Sequence, residues 1–165
     1  MPRITGDVES ATLTGLGLGP RPVSQLEAMV AAQSGRQMHL LTVRLEAHPY
    51  SRPALTTAAR YLVSGVAADD TGRTRDYAFF VKLVQAWTRS PLSEQVPAPL
   101  RAQLAPLLPW RSEPDVYRGD LGRRLPHGIS LPHARLVTGL DDESAAIWLD
   151  RVPGRRSLSA VPAYT

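Results

Sequence analysis

One lysine stands among eighteen arginines in this 165-residue chain, inside the apolar run Asp76 to Trp87, DYAFFVKLVQAW. A surface cation without a particular task would be arginine in a chain of this composition, so Lys82 needs a reason. An ammonium is a compact point charge with three rotatable donors, whereas a guanidinium is a broad planar fork; the two do not substitute for one another at a tight phosphate site. The run around Lys82 reads as a buried strand, and burying that charge alone would cost on the order of several kcal/mol. A carboxylate partner or a bound anion is implied. The alternative is a strand-edge lysine whose stem packs while its head reaches water.

Glu113 is the carboxylate best placed to answer Lys82, near the start of the helix expected between the third and fourth strands, although a glutamate there also serves the helix dipole. Asp141-Asp142 has the form of a carboxylate pair for metal or acid-base work, but between two strands it reads as a turn. His127 and His133 have no ligand companions nearby, so no metal site is expected. Trp87, Trp110 and Trp148 read as packing residues.

The elements that must position these groups follow from periodicity. The first twenty residues are rich in Gly, Thr and Ser, show no regular period and are expected to be mobile. Pro22 to Ala32 places Val23, Leu26, Met29 and Val30 on one helical face, with Gly35 just past its end. His39 to His48 alternates, with Leu41, Val43 and Leu45 on one face, and predicts a first strand. A polar connection with prolines, 49 to 57, leads to a second strand at about 59–67. The turn Asp69-Asp70-Thr71-Gly72 then feeds the lysine strand at about 76–86. A proline-rich link, Ser90 to Pro109, precedes a helix at about 110–125, which tolerates Pro114 only in its first turn. Strands at about 134–140 and 145–151 complete an α+β domain, a five-stranded antiparallel sheet with an inserted helix.

Composition narrows the class. The apolar and charged fractions, 43% and 21%, are those of a globular protein, and the length suits one domain. Cysteine is absent, which removes disulfides and thiol catalysis. The N-terminus lacks signal-peptide features and no apolar run approaches a membrane span, so a cytoplasmic protein without a membrane partner is expected. The net charge of +4 comes from scattered arginines rather than a basic patch, which disfavours nucleic acid as a partner.

The residues FFVK in the third strand, Trp110-Arg111-Ser112-Glu113 followed by Tyr117 and Leu121, and AAIWLDRVPG at the end carry a family likeness. Over about residues 36 to 154 the chain resembles the small, ATP-binding lobe of protein-kinase-like phosphotransferases, of the aminoglycoside phosphotransferase type. The resemblance implies that Lys82 holds the α and β phosphates of ATP and that Glu113 holds the lysine. It also implies a hinge at about 149–154, where the Asp150 carbonyl and Val152 amide meet the adenine edge. Residues 21–154 would then form the lobe, and 155–165 the start of an inter-lobe linker.

Two features depart from that family. The loop between the first two strands has no glycine from Arg36 to Ser64, so its phosphate contacts would fall to hydroxyls and local amides at Ser51, Thr56 and Thr57. None of the four histidines is followed two residues later by aspartate, as a catalytic loop of this family requires, and the large helical lobe is not represented. Mg²⁺ is therefore expected only when a large lobe is supplied, and binding of ATP·Mg by this chain alone is expected to be weak or absent. The expected partners are a nucleotide and either a separate large lobe or a second copy of the chain. Two other readings stand beside the kinase lobe: a non-catalytic nucleotide-binding or regulatory remnant, and, less favoured, a basic nucleic-acid-binding module.

Overall fold

The computed structural model describes residues 10–48 and 54–152. Two helices come first, α1 (Ser10–Gly15) and α2 (Pro22–Ser34). Proline opens α2, where its missing N–H costs nothing, and Gly35 closes it at φ 76, a left-handed conformation that glycine adopts without strain. The sheet follows: β1 (His39–Leu40), β2 (Arg44–Ala47), β3 (Thr57–Ala68) and β4 (Thr74–Gln85). Between β4 and β5 (Ala134–Asp141) run short 3₁₀ turns and three small helices, α3 (Ala98–Leu104), α4 (Ser112–Arg118) and α5 (Leu121–Arg124). The last strand is β6 (Ser144–Asp150).

All pairings are antiparallel, in the order β1-β3-β4-β6-β5, with β2 also on β3. The α+β class and the antiparallel sheet agree with the periodicity, but among the described residues there are six strands where five were expected. The expected first strand is interrupted because the Leu41 and Thr42 amides both donate to the Val66 carbonyl, at 2.9 and 3.1 Å. Two residues oppose one, the geometry of a β-bulge. Thr42 Oγ1 takes the Val66 amide in return, at 3.0 Å. The bulge presses so closely on β3 that a Cβ on Gly65 would lie 2.0 Å from the Thr42 carbonyl oxygen. Only glycine fits there.

Strand alternation sends side chains to two faces. On one, Val63, Tyr77, Phe79, Val81, Ala146 and Trp148 pack against Leu26, Met29 and Val30 of α2. Leu13, Leu16 and Leu18 join the same core, each no more than 4% exposed. Residues 10–18 therefore belong to the folded unit, where the sequence reading had set aside the first twenty. The three leucines escaped a periodicity test because they span the end of α1 and the turn after it. The Trp148 indole donates to the Leu16 carbonyl at 2.8 Å, which fixes that turn against the sheet.

On the other face, Val84, Ala145, Ile147 and Leu149 form a smaller core with Phe80, Trp110, Tyr117 and Val137. This is the face on which α4 lies. The helix expected over 110–125 is divided, because Gly119 leaves the helical region at φ −85, ψ −164. Pro114 falls within the first turn of α4 and is buried there. The stretch read as a link, Ser90 to Pro109, is partly helical: Ser90 caps a 3₁₀ turn by accepting from the Leu92 amide, and Pro97 precedes α3. No helix among the described residues is long and apolar enough to cross a membrane.

Candidate functional site

β4 is the middle strand of the sheet, flanked by β3 and β6. Alternation on β4 puts Lys82 on the α4 face with Phe80 and Val84, since Val81 and Phe79 belong to the opposite core. Glu113, in the first turn of α4, forms an ion pair and hydrogen bond with the Lys82 ammonium. The side chains are 18% and 37% exposed, so the lysine is largely enclosed while the carboxylate reaches the surface. The helix is seated by buried Pro114 and by Tyr117, one turn on, which packs against the smaller core. Burial, with a smaller contribution from the Glu113 charge, raises the Tyr117 phenol above its usual range.

Cross-strand register resolves the face into rows. The His48 amide donates to the Arg60 carbonyl at 2.9 Å, Arg60 is opposite Lys82, and Lys82 is opposite Ile147. The next row is Glu46, Leu62, Phe80 and Leu149. Over this second row lies a cavity of about 480 Å³, lined by His48, Leu62, Phe80, Pro132 and Leu149 together with 150–152. The His48 ring meets Phe80 edge-on, centroids 5.6 Å apart. The volume is within the usual range for small-ligand sites, and the lining combines an apolar floor with polar groups at its edges.

Asp150 and Val152 both border this cavity. The Asp150 amide donates to the His133 carbonyl at 2.8 Å, and the Arg151 amide to the Ala78 carbonyl at 3.4 Å. The Asp150 carboxylate is engaged by Arg135 through two bonds, 2.8 and 2.6 Å, and by the Gln33 amide of α2 at 3.1 Å. A bidentate guanidinium and a helix thus hold the end of β6 in place. Val152 is 62% exposed. Thr57 opens β3 opposite Val84, one row beyond Lys82, and the Thr56 carbonyl accepts from the Gln85 amide at 2.9 Å. Ser51 lies outside the described residues.

Asp141 ends β5, and Asp142 follows it in the turn to β6. Asp141 accepts from the Glu143 amide and the Ser144 hydroxyl, both at 2.8 Å, and Arg89 bridges Asp141 and Glu143 at 2.7 and 2.9 Å. Among the described residues no group of three or more His, Asp or Glu side chains is placed to hold a metal ion.

Sequence reasoning brought Lys82 and Glu113 together but missed Arg60, His48, Phe80 and Leu149 as their neighbours. The signal was present, because residues two apart on a strand share a face and Phe80 precedes Lys82 by two. Arg135–Asp150 gave no such signal. It depends on a bulge between Ala134 and Leu136, where the pairing with β6 shifts register.

Comparison of the chain with protein-family models, curated proteins and solved structures finds no match.

Proposed function

We propose that this chain is the ATP-binding lobe of a small-molecule kinase of the aminoglycoside phosphotransferase type, which transfers the γ-phosphate of ATP to a hydroxyl of its acceptor. The observation that carries the reading is the enclosed Lys82–Glu113 pair on the same sheet face as an apolar cavity bordered by Asp150 and Val152. In this reading the base lies over Phe80 and Leu149, with its edge against the backbone after β6. The phosphates extend toward Lys82, whose three donors suit their oxygens. Glu113 aims the ammonium and compensates its charge while the site is empty. Arg135 and Gln33 matter through Asp150: they fix the strand end from which the base would be read. Mg²⁺ and the acceptor belong to a large lobe, supplied separately or by a longer chain.

The test is titration of ¹⁵N-labelled protein with ATP. Expected are saturable, weak shifts concentrated at Phe80, Lys82, Leu149 and Val152, and their loss in Lys82→Met. Shifts confined to other regions, or shifts that persist unchanged in Lys82→Met, would overturn the reading. Addition of a large lobe with Mg²⁺ and a panel of hydroxylated small molecules separates an active kinase lobe from a non-catalytic nucleotide-binding one.

A further inference from the structure

The sheet face that carries Lys82 has a further row, beyond Leu62 and Phe80. Arg44 is opposite Ser64, Ser64 is opposite Ala78, and the Arg151 amide donates to the Ala78 carbonyl at 3.4 Å. Two arginines thus flank two small side chains, and the floor drops between them. The result is a second cavity, of about 360 Å³, bordered by Arg44, Ser64, Asp76, Ala78 and Arg151. It meets the apolar cavity at Arg151, which lines both. Ala78 precedes Lys82 by four residues, about 13 Å along the strand, so one small anion does not reach both places.

An arginine on a sheet is stabilised by an opposite charge across from it. Here Arg44 faces a serine and Arg151 an alanine. Glu46 lies one row back on β2, and Asp76 two residues before Ala78 on β4. Among the described residues, neither carboxylate forms an ion pair with Arg44 or Arg151, and the Ser64 hydroxyl has no hydrogen-bond partner. Both arginines are exposed, so they keep their hydration in the free protein and the expected affinity is modest.

We propose that this cavity binds the carboxylate or phosphate group of a small molecule, held between the Arg44 and Arg151 side chains over the Ser64 hydroxyl. Each guanidinium presents a planar fork that matches two oxygens of such a group, and Ser64 adds a donor from the floor. Asp76 at the rim reduces the positive charge without cancelling it. The site goes beyond the nucleotide reading and does not depend on it. It lies on the far side of Phe80 from Lys82, and it uses the Arg151 side chain rather than the backbone against which the base would be read.

The experiment titrates the ¹⁵N-labelled full chain with sodium phosphate and with sodium succinate, against sodium chloride at matched ionic strength, and follows the amides of Arg44, Ser64, Ala78 and Arg151. Expected are saturable shifts at these positions with phosphate, with succinate or with both, which tells a phosphate site from a carboxylate site, and none with chloride. Arg44→Gln and Arg151→Gln are each expected to weaken binding about tenfold, and Arg123→Gln on α5, a charge-matched control, to leave it unchanged. Ala78→Val keeps every charge but raises the floor, and is expected to weaken binding severalfold, so the proposal stays testable if an arginine variant folds poorly. Shifts no different from those of chloride, or shifts that persist in both arginine variants, overturn the inference. Shifts found at Phe80 and Lys82 instead overturn it as well and leave the nucleotide reading standing.

Discussion

Lys82 and Glu113 are unequally buried, and that inequality decides what each contributes. Removing the carboxylate leaves an ammonium, 18% exposed, without its partner; removing the lysine leaves a carboxylate that water already reaches. Uncompensated charge is the costly outcome, and the discount for solvent is larger on the glutamate side. Glu113→Gln is therefore expected to destabilise the fold by about 1–2 kcal/mol, and Lys82→Met by less. Urea unfolding of the two variants checks the order, and a larger loss in Lys82→Met would contradict it. This pair was legible because one lysine in an arginine-rich chain drew attention and the inserted helix offered one early glutamate. Arg60 gave no comparable contrast, being one arginine of eighteen. Its place opposite Lys82 is a matter of register, which emerges only when β3 is aligned on β4.

At the scale of elements, two turns are built on aspartates that act as local acceptors. Asp69 accepts from the Thr71 hydroxyl and amide at 2.6 and 2.9 Å and from the Arg73 amide at 3.0 Å. These bonds, led by the Thr71 hydroxyl, hold its carboxyl at about 2. Arg89 first, then Ser144 and the Glu143 amide, hold Asp141 at about 2 as well. Because the folded values are depressed, the stabilisation is present above the unfolded carboxyl value of about 3.9 and is lost as pH falls toward 2. Carboxyl titration by NMR should give midpoints near 2 for Asp69 and Asp141, with the Thr71 and Glu143 amides losing protection between about pH 4 and 2. Midpoints close to 3.9 would mean that these turns do not hold in solution as drawn. Both turns were legible as Asp-rich clusters between strands. The helices within 90–109 were not, because proline reads as a breaker although here it opens a 3₁₀ turn at Pro91 and precedes α3 at Pro97.

For the molecule as a whole, the decisive contact joins residues far apart in the sequence. Leu16 and Trp148 are 132 residues apart, and the bond between them is buried. Trp148→Phe keeps most of the apolar bulk but orphans the Leu16 carbonyl, at an expected cost of about 1–3 kcal/mol measured by urea unfolding. A cost under about 0.5 kcal/mol would show that the carbonyl finds water instead. The strand pattern made the sheet readable, but this closure was hidden, because nothing in a glycine- and threonine-rich opening announces that its leucines seal a core. The same contact has a consequence for synthesis on the ribosome. β4 cannot gain its β6 neighbour, and the leucines near the start cannot find their tryptophan, until nearly all of the described chain has emerged. Contacts so distant in sequence make for late, slow closure. During that interval Leu13, Leu16 and Leu18 lack the tryptophan and the β6 side chains that complete their core, and this segment of the nascent chain is open to capture by chaperones or by other chains.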